Sequence, residues 1–246
     1  MRDNCELKDP FNLIYGLWRE EATSYGSNKL STQGETRIVV DLYGKYHLDR
    51  GDERLGLFSI LRSEYGVERG LYPGCFVHVT PSFVIPEMVY VDTDSNARKF
   101  FEAGRAESLV LSRKQYRDEP SVVFIAGDYT DHLDIDDDCF DLIISQYAGF
   151  VSEACTRYLR RGGYLVANNS HGDAGLAHLN PDLEFVAAIQ RRGERFSLTT
   201  QNLCDFFVPK SHAVPSDPSQ LKEYLKVRGS GIGYKKSATD YLFRRL

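Results

Sequence analysis

The sequence predicts an α/β domain built around a mostly parallel sheet, and three observations predict it. Val122–Ala126 and Leu142–Ser145 are short apolar runs rich in β-branched residues, without alternation. That pattern belongs to strands buried on both faces. A helix-length segment, Val151–Leu159, follows the second run and stops at Arg160-Arg161-Gly162-Gly163. Glycine just past the last apolar helical residue is an expected C-terminal signal. A third run, Tyr164–Ala167, then completes the order strand, loop, strand, helix, strand.

The 246 residues suffice for one such domain with an extension. Hydrophobic content of 42% and charged content of 26% are ordinary for a soluble globular chain. No apolar run approaches the roughly 18 residues that a membrane-spanning helix needs. The N-terminal MRDNCELKDPF lacks a basic-then-apolar signal pattern. The five cysteines are odd in number, widely spaced and form no C-x-x-C pair. Reduced, mostly buried thiols and a cytoplasmic location are therefore expected, with no disulfide framework and no metal site. Residues 1–150 hold 16 Lys+Arg against 26 Asp+Glu, and residues 151–246 hold 14 against 9. The basic C-terminal third permits contact with nucleic acid. It has no basic run longer than two and no aromatic-basic repeat, so such contact is not indicated.

Residues 1–70 read as a helical N-terminal cap on the sheet, and residues 71–246 as the α/β domain. Apolar spacing predicts helices over Phe11–Glu21 and over Arg54–Tyr65, the latter ending at Gly66. Tyr25–Gly34 reads as a loop, and Thr36–Tyr43 fits a strand or a helix start. Tyr43, Lys45, Tyr46 and His47 form an aromatic and ionisable cluster that suits a substrate lid or a loop packing its tyrosines.

Cys75–Thr80 is read as strand 1 and Met88–Asp94 as strand 2. An acidic strand-2 tip, Asp92 or Asp94, could accept both ribose hydroxyls of an adenosine. A glycine-rich turn is expected after strand 1, so that backbone can approach a ligand closely. No glycine lies between Cys75 and Asp94, and one helical turn starting at Pro81 is the most that fits before Met88. Either Thr80, Ser82 and backbone N–H groups hold a ligand there, or Phe83, Val84 and Ile85 fill the pocket. His78 inside that strand reads as a core histidine. Asp94 or Ser95 would cap a following helix carrying Phe100 and Phe101, and Ala106–Tyr116 a second one.

Gly127-Asp128, then Phe140-Asp141-Leu142-Ile143-Ile144-Ser145, a helix and Leu159-Arg160-Arg161-Gly162-Gly163-Tyr164-Leu165 together resemble the class I S-adenosylmethionine-dependent methyltransferase family. The resemblance is close over about 45 residues and looser over Cys75–Leu246. It implies a three-layer Rossmann-like fold with an antiparallel terminal strand, S-adenosylmethionine as cofactor and methyl transfer as activity. It places Asp128 and Tyr129 against the adenine and Ser145 at the cofactor, with Thr80, Ser82, Asp92 and Asp94 completing the pocket. The glycine-free strand-1 turn marks the match as divergent.

At the strand-4 exit, Gln146 and Tyr147 can hydrogen-bond and stack on a flat or cationic group. The Asn/Asp-Pro-Pro-aromatic tetrapeptide of amino-methylating nucleic-acid enzymes is missing there. Strand 5 exits into Asn168-Asn169-Ser170-His171-Gly172-Asp173, where His171 suits a general base and Asp173 could orient it. The same run could simply cap a helix. The acidic loop Asp134–Asp138 lacks the glycine and glutamate of an EF-hand and reads as solvated. Pro181–Gln190 reads as a helix, Arg195–Thr199 as a strand, Pro218–Val227 as a helix and Asp240–Arg245 as the last strand. Gly229-Ser230-Gly231-Ile232-Gly233 follows a helix and lacks the context of a phosphate loop. The leading expectation is a methyltransferase acting on a small molecule. A non-catalytic binding module or partner subunit, and a nucleic-acid methyltransferase, are the alternatives.

Overall fold

The computed structural model describes residues 42–51 and 53–246. The expected Phe11–Glu21 helix, the Tyr25–Gly34 loop and nearly all of the Thr36–Tyr43 segment lie outside them. After a π-helical turn at Gly44–Leu48 come α1 (Leu55–Tyr65), β1 (Arg69–Pro73), a 3-10 turn at Thr80–Phe83 and β2 (Glu87–Asp92). Then follow α2 (Ser95–Glu102), α3 (Arg105–Arg113), β3 (Ser121–Ala126) and β4 (Phe140–Ser145). The second half holds α4 (Val151–Cys155), β5 (Leu159–Ala167), α5 (Asp173–Leu179), β6 (Leu183–Arg192), β7 (Arg195–Thr199), α6 (Pro218–Arg228) and β8 (Asp240–Arg245).

These strands form one sheet in the order β3-β2-β1-β4-β5-β8-β6-β7. The first five are mutually parallel, and β8 runs antiparallel between β5 and β6. This is the three-layer Rossmann-like methyltransferase fold, with β7 added as an edge hairpin on β6. Successive residues of each central strand feed opposite layers. Leu71, Val89 and Ile143 pack with α4, α5 and α6, while Tyr72, Tyr90 and Ile144 pack with α1, α2 and α3. That two-sided burial is why the strands read as unbroken apolar runs.

Three expectations are corrected. Strand 1 is Arg69–Pro73, not Cys75–Thr80. Gly70 and a terminal Pro73 give it weak intrinsic propensity, and pairing with β2 and β4 on both sides makes it a strand. A Cβ on Gly70 would meet the Met88 sulfur at 2.6 Å, so Met88 packs over the glycine. Pro181–Gln190 is not a helix but most of β6, paired to β8 and β7. Its near-continuous apolar content suits a buried helix or a buried strand equally, so pairing decides. Arg160–Gly163 does not terminate a helix; it is a bulge within β5, between the Phe140–Leu159 and Leu142–Tyr164 pairs. Gly162 sits there at φ +73°, and a Cβ on Gly163 would meet the Arg160 carbonyl oxygen at 2.9 Å.

The remaining elements match to within a few residues. Asp94 caps α2, its carboxylate accepting from Asn96 N at 2.7 Å and Ala97 N at 3.1 Å. Among the described residues, no helix is long and apolar enough to cross a membrane.

Candidate functional site

The chain leaves β1 toward one edge of the sheet and β4 toward the other, so the crevice between their carboxyl ends is the topological switch point. The β1 turn that lines it contains one glycine after all. Gly74 follows Pro73 at φ +65°, and a Cβ there would lie 2.6 Å from the Cβ of Ala148 in the loop after β4. Phe76, two residues on, also adopts a left-handed conformation, φ +48°. The turn thus has the backbone of a glycine-rich loop with a phenylalanine in a position that favours glycine.

Two acids stand at neighbouring strand tips. Asp92 ends β2, with one carboxylate oxygen accepting from Phe76 N at 2.6 Å and the other from Asp94 N at 2.8 Å. Each oxygen has a further lone pair for a hydroxyl donor. Asp128, just past β3, is exposed and accepts from both N and Oγ1 of Thr130 through a single oxygen. The Thr130 N–H holds its carboxyl below the usual range. Tyr129 turns inward, its hydroxyl accepting from Gly149 N at 3.0 Å, which ties the β3 tip to the β4 loop.

Other expected ligand residues sit elsewhere. Thr80 and Ser82 are buried in the 3-10 turn, where Thr80 bonds the Tyr43 hydroxyl and Ser82 the Tyr90 hydroxyl. They do not reach the strand tips because strand 1 ends earlier than its sequence suggests. Asp94 is committed to its cap. Ser145 points away into a buried clasp, donating to Asp173 Oδ2 at 2.6 Å. Asp173 also accepts from Ser152 N and Oγ, so it does not orient His171. Burial raises the Asp173 carboxyl to about 6, against the lowering effect of the serine hydrogen bonds. This clasp grips both ends of the loop 146–151. Of the predicted lid residues, Tyr43 bonds Glu53 at 2.6 Å, Tyr46 meets Phe76 edge-on and His47 stacks on His78.

The three residues expected to do chemistry are joined by one polar chain, through partners the sequence did not reveal. Arg54 is 5% exposed and stands at the start of α1 with φ +57°. Its Nη1 donates to Gln146 Oε1 at 2.5 Å and to Asp240 Oδ1 at 2.8 Å, and its Nη2 donates to the Tyr147 hydroxyl at 2.7 Å. Gln146 Nε2 also donates to Asp240 Oδ1, at 2.7 Å. Asn168 Nδ2 donates to Gln146 Oε1 at 3.2 Å, and Asn168 Oδ1 accepts from Ser170 Oγ at 2.7 Å. Ser170 Oγ lies 3.0 Å from His171 Nδ1. Since the Ser170 hydroxyl hydrogen goes to Asn168, its oxygen is left to accept from His171 Nδ1–H. That tautomer leaves Nε2 as the basic nitrogen of an exposed ring.

Backbone strain concentrates here. Arg54, Phe76 and Tyr147 (φ +56°) are three of the five non-glycine residues with positive φ among the described residues. Such residues cost on the order of 1–3 kcal/mol each and cluster at functional sites. On the α1 side, Arg54 also borders a cleft of about 450 Å³ lined by Glu53, Ser59, Arg191 and Phe196. That volume falls in the range of small-molecule sites. Arg54 and Asp240 carry no motif signal: one lies in an ordinary charged loop and the other opens the last strand.

No family model matches the sequence. No curated protein matches it either. Solved structures do resemble it. A methyltransferase from Geobacter sulfurreducens aligns at 15% identity and TM-score 0.42, over 76% of this chain and 96% of its own. An O-methyltransferase from Bacillus cereus in complex with SAH aligns at 13% identity and TM-score 0.40, over 80% and 91%. The YcgJ protein of Bacillus subtilis aligns at 23% identity and TM-score 0.38, over 52% of this chain and 57% of its own. The chain spans less than two thirds, 66%, of a solved structure from Methanococcus maripaludis that it also resembles. Likeness at this level is a likeness of fold and does not extend to activity.

Proposed function

We propose that this protein is an S-adenosylmethionine-dependent methyltransferase acting on a small molecule. The observation that carries the reading is Asp92 and Asp128 on adjacent parallel strand tips, with Asp92 bonded to the turn that follows Gly74 at the switch point of this sheet. The residues present fit the nucleoside of that cofactor. Asp92 would hold the two ribose hydroxyls through its remaining lone pairs. Asp128 would accept from the adenine amino group. When bound, the cofactor supplies an electrophilic methyl group.

This chain's own residues would then orient the acceptor and manage its proton. Tyr147, held by a buried guanidinium, would fix the acceptor beside the β4 tip. His171 Nε2 would take the proton that the acceptor's nucleophile loses, with Ser170 and Asn168 holding the ring nitrogen opposite. Methyl transfer needs an in-line approach, so rigid positioning supplies much of the rate. Calorimetric titration with S-adenosylmethionine tests the proposal, with micromolar binding expected. Absence of heat and of any thermal shift at millimolar ligand would sink it.

One observation favours a second reading. Ala148 fills the space that the missing Cβ of Gly74 leaves, on the side of the β4 loop where a methionine tail would pass. A non-catalytic module binding a nucleoside alone would suit that arrangement. It predicts adenosine binding as tight as S-adenosylmethionine binding.

A further inference from the structure

Tyr147 combines properties that conflict in an ordinary surface residue. It is 57% exposed, yet fixed at three points. Its backbone is left-handed, its N–H approaches Asn168 Oδ1 at 3.5 Å, and its hydroxyl accepts from Arg54 Nη2 at 2.7 Å. Arg54 also stacks against the ring, with its guanidinium carbon 5.1 Å from the ring centroid. An exposed tyrosine normally samples rotamers freely; this one is tethered to a buried ion pair between Arg54 and Asp240, both at most 5% exposed. The tether also fixes the direction of the hydroxyl. Because Arg54 donates to the phenolic oxygen, the phenolic hydrogen is directed away from the guanidinium and is left to donate to another partner. The cation behind the oxygen makes that O–H a charge-assisted donor.

We infer that Arg54 is a positioning residue that locks Tyr147 as a hydrogen-bond donor, and that Tyr147 selects acceptors carrying a carboxylate, phenolate or carbonyl oxygen. This deepens the methyltransferase reading and rests on it for the identity of the site. Asp240 and Gln146 hold the far side of the guanidinium, so they fix Arg54 as Arg54 fixes Tyr147. An ammonium group has no lone pair with which to accept this O–H.

The test uses full-length protein saturated with S-adenosylhomocysteine, titrated calorimetrically with sodium benzoate and, in parallel, with benzylamine hydrochloride. Wild type is expected to bind benzoate at least tenfold more tightly than benzylammonium. Tyr147→Phe should erase that preference while leaving S-adenosylhomocysteine affinity within twofold. Arg54→Lys, which keeps the charge behind the hydroxyl, should retain part of the preference, whereas Arg54→Met should lose it. A merely structural role for Arg54 would weaken both probes equally. Tyr147→Phe removes only one oxygen and remains informative if the arginine variants fail to fold. Unchanged benzoate preference in Tyr147→Phe, or no preference in wild type, overturns the inference. Tyr147-dependent benzoate binding without any S-adenosylhomocysteine binding would support the donor assignment and overturn the cofactor reading instead.

Discussion

The turn after β1 and the loop after β4 touch through Gly74 and Ala148: a methyl group added to Gly74 would stand 2.6 Å from the Ala148 Cβ. Gly74 is also left-handed, so alanine there meets backbone strain as well as a clash. Gly74→Ala should cost about 2–4 kcal/mol, combining overpacking with a disfavoured φ. Urea denaturation reads the loss. Where the variant still folds, its S-adenosylmethionine affinity should fall at least tenfold, because the shift widens or closes the crevice at its floor.

Asp94 and Asp128 separate structural from ligand roles. Asp94→Ala removes the α2 cap and should cost about 1 kcal/mol, with cofactor affinity within twofold of wild type. Asp128→Ala removes an exposed carboxylate and should change stability by no more than about 0.5 kcal/mol, while weakening cofactor binding tenfold or more. Calorimetry and thermal melts on the two variants check the crossing pattern. The reverse assignment would mean the nucleoside lies elsewhere.

The buried ion pair behind Tyr147 should show strong coupling. Arg54→Met removes one partner of a buried ion pair, which costs about 3–5 kcal/mol. Arg54→Met/Asp240→Asn should recover a large part of that loss, since both charges of the pair are then removed together. A double-mutant cycle by chemical denaturation measures it; additive losses would show that the pair is worth little.

Asp173 and His78 pull stability in opposite directions with pH. Burial raises the Asp173 carboxyl from 3.8 to about 6, so the folded state binds the extra proton between those values. Stability from this group therefore rises as pH falls from about 6 to 4, by on the order of 3 kcal/mol. Burial lowers His78 from its ordinary 6.5, so the unfolded chain takes its proton first and stability falls on acidification below that value. Asp173→Asn removes the first effect and leaves the second. Urea midpoints at pH 7, 6, 5 and 4 should thus drop more steeply for the variant than for wild type. Parallel curves would mean that the Asp173 carboxyl takes up its proton at the same pH in the folded and the unfolded chain.

Much of this architecture was legible along the chain. Strands at Val122–Ala126 and Leu142–Ser145, the Asp94 cap, the α6 helix and the closing β8 all follow from local chemistry: two-sided burial, a capping carboxylate, turn residues. Asp92 and Asp128 were legible as acids at strand ends, a property of position within a short segment. Gln146, Tyr147 and His171 were legible only as polar residues beyond strand exits.

What failed to read were the features that pairing decides. Gly70 and Pro73 make a poor strand until β2 and β4 flank it, and the apolar run in β6 becomes a strand only between β7 and β8. The same holds for chemistry. Asp240 is 186 residues from Arg54 in sequence, and Gln146 is 92 residues from it, yet all three share a handful of hydrogen bonds. The amino-acid order by itself determined which segments are buried and which end in acids or polar turns. The tertiary structure decided which of those ends meet, because a buried charge has no sequence neighbour to pair with and finds its partner only when the sheet closes.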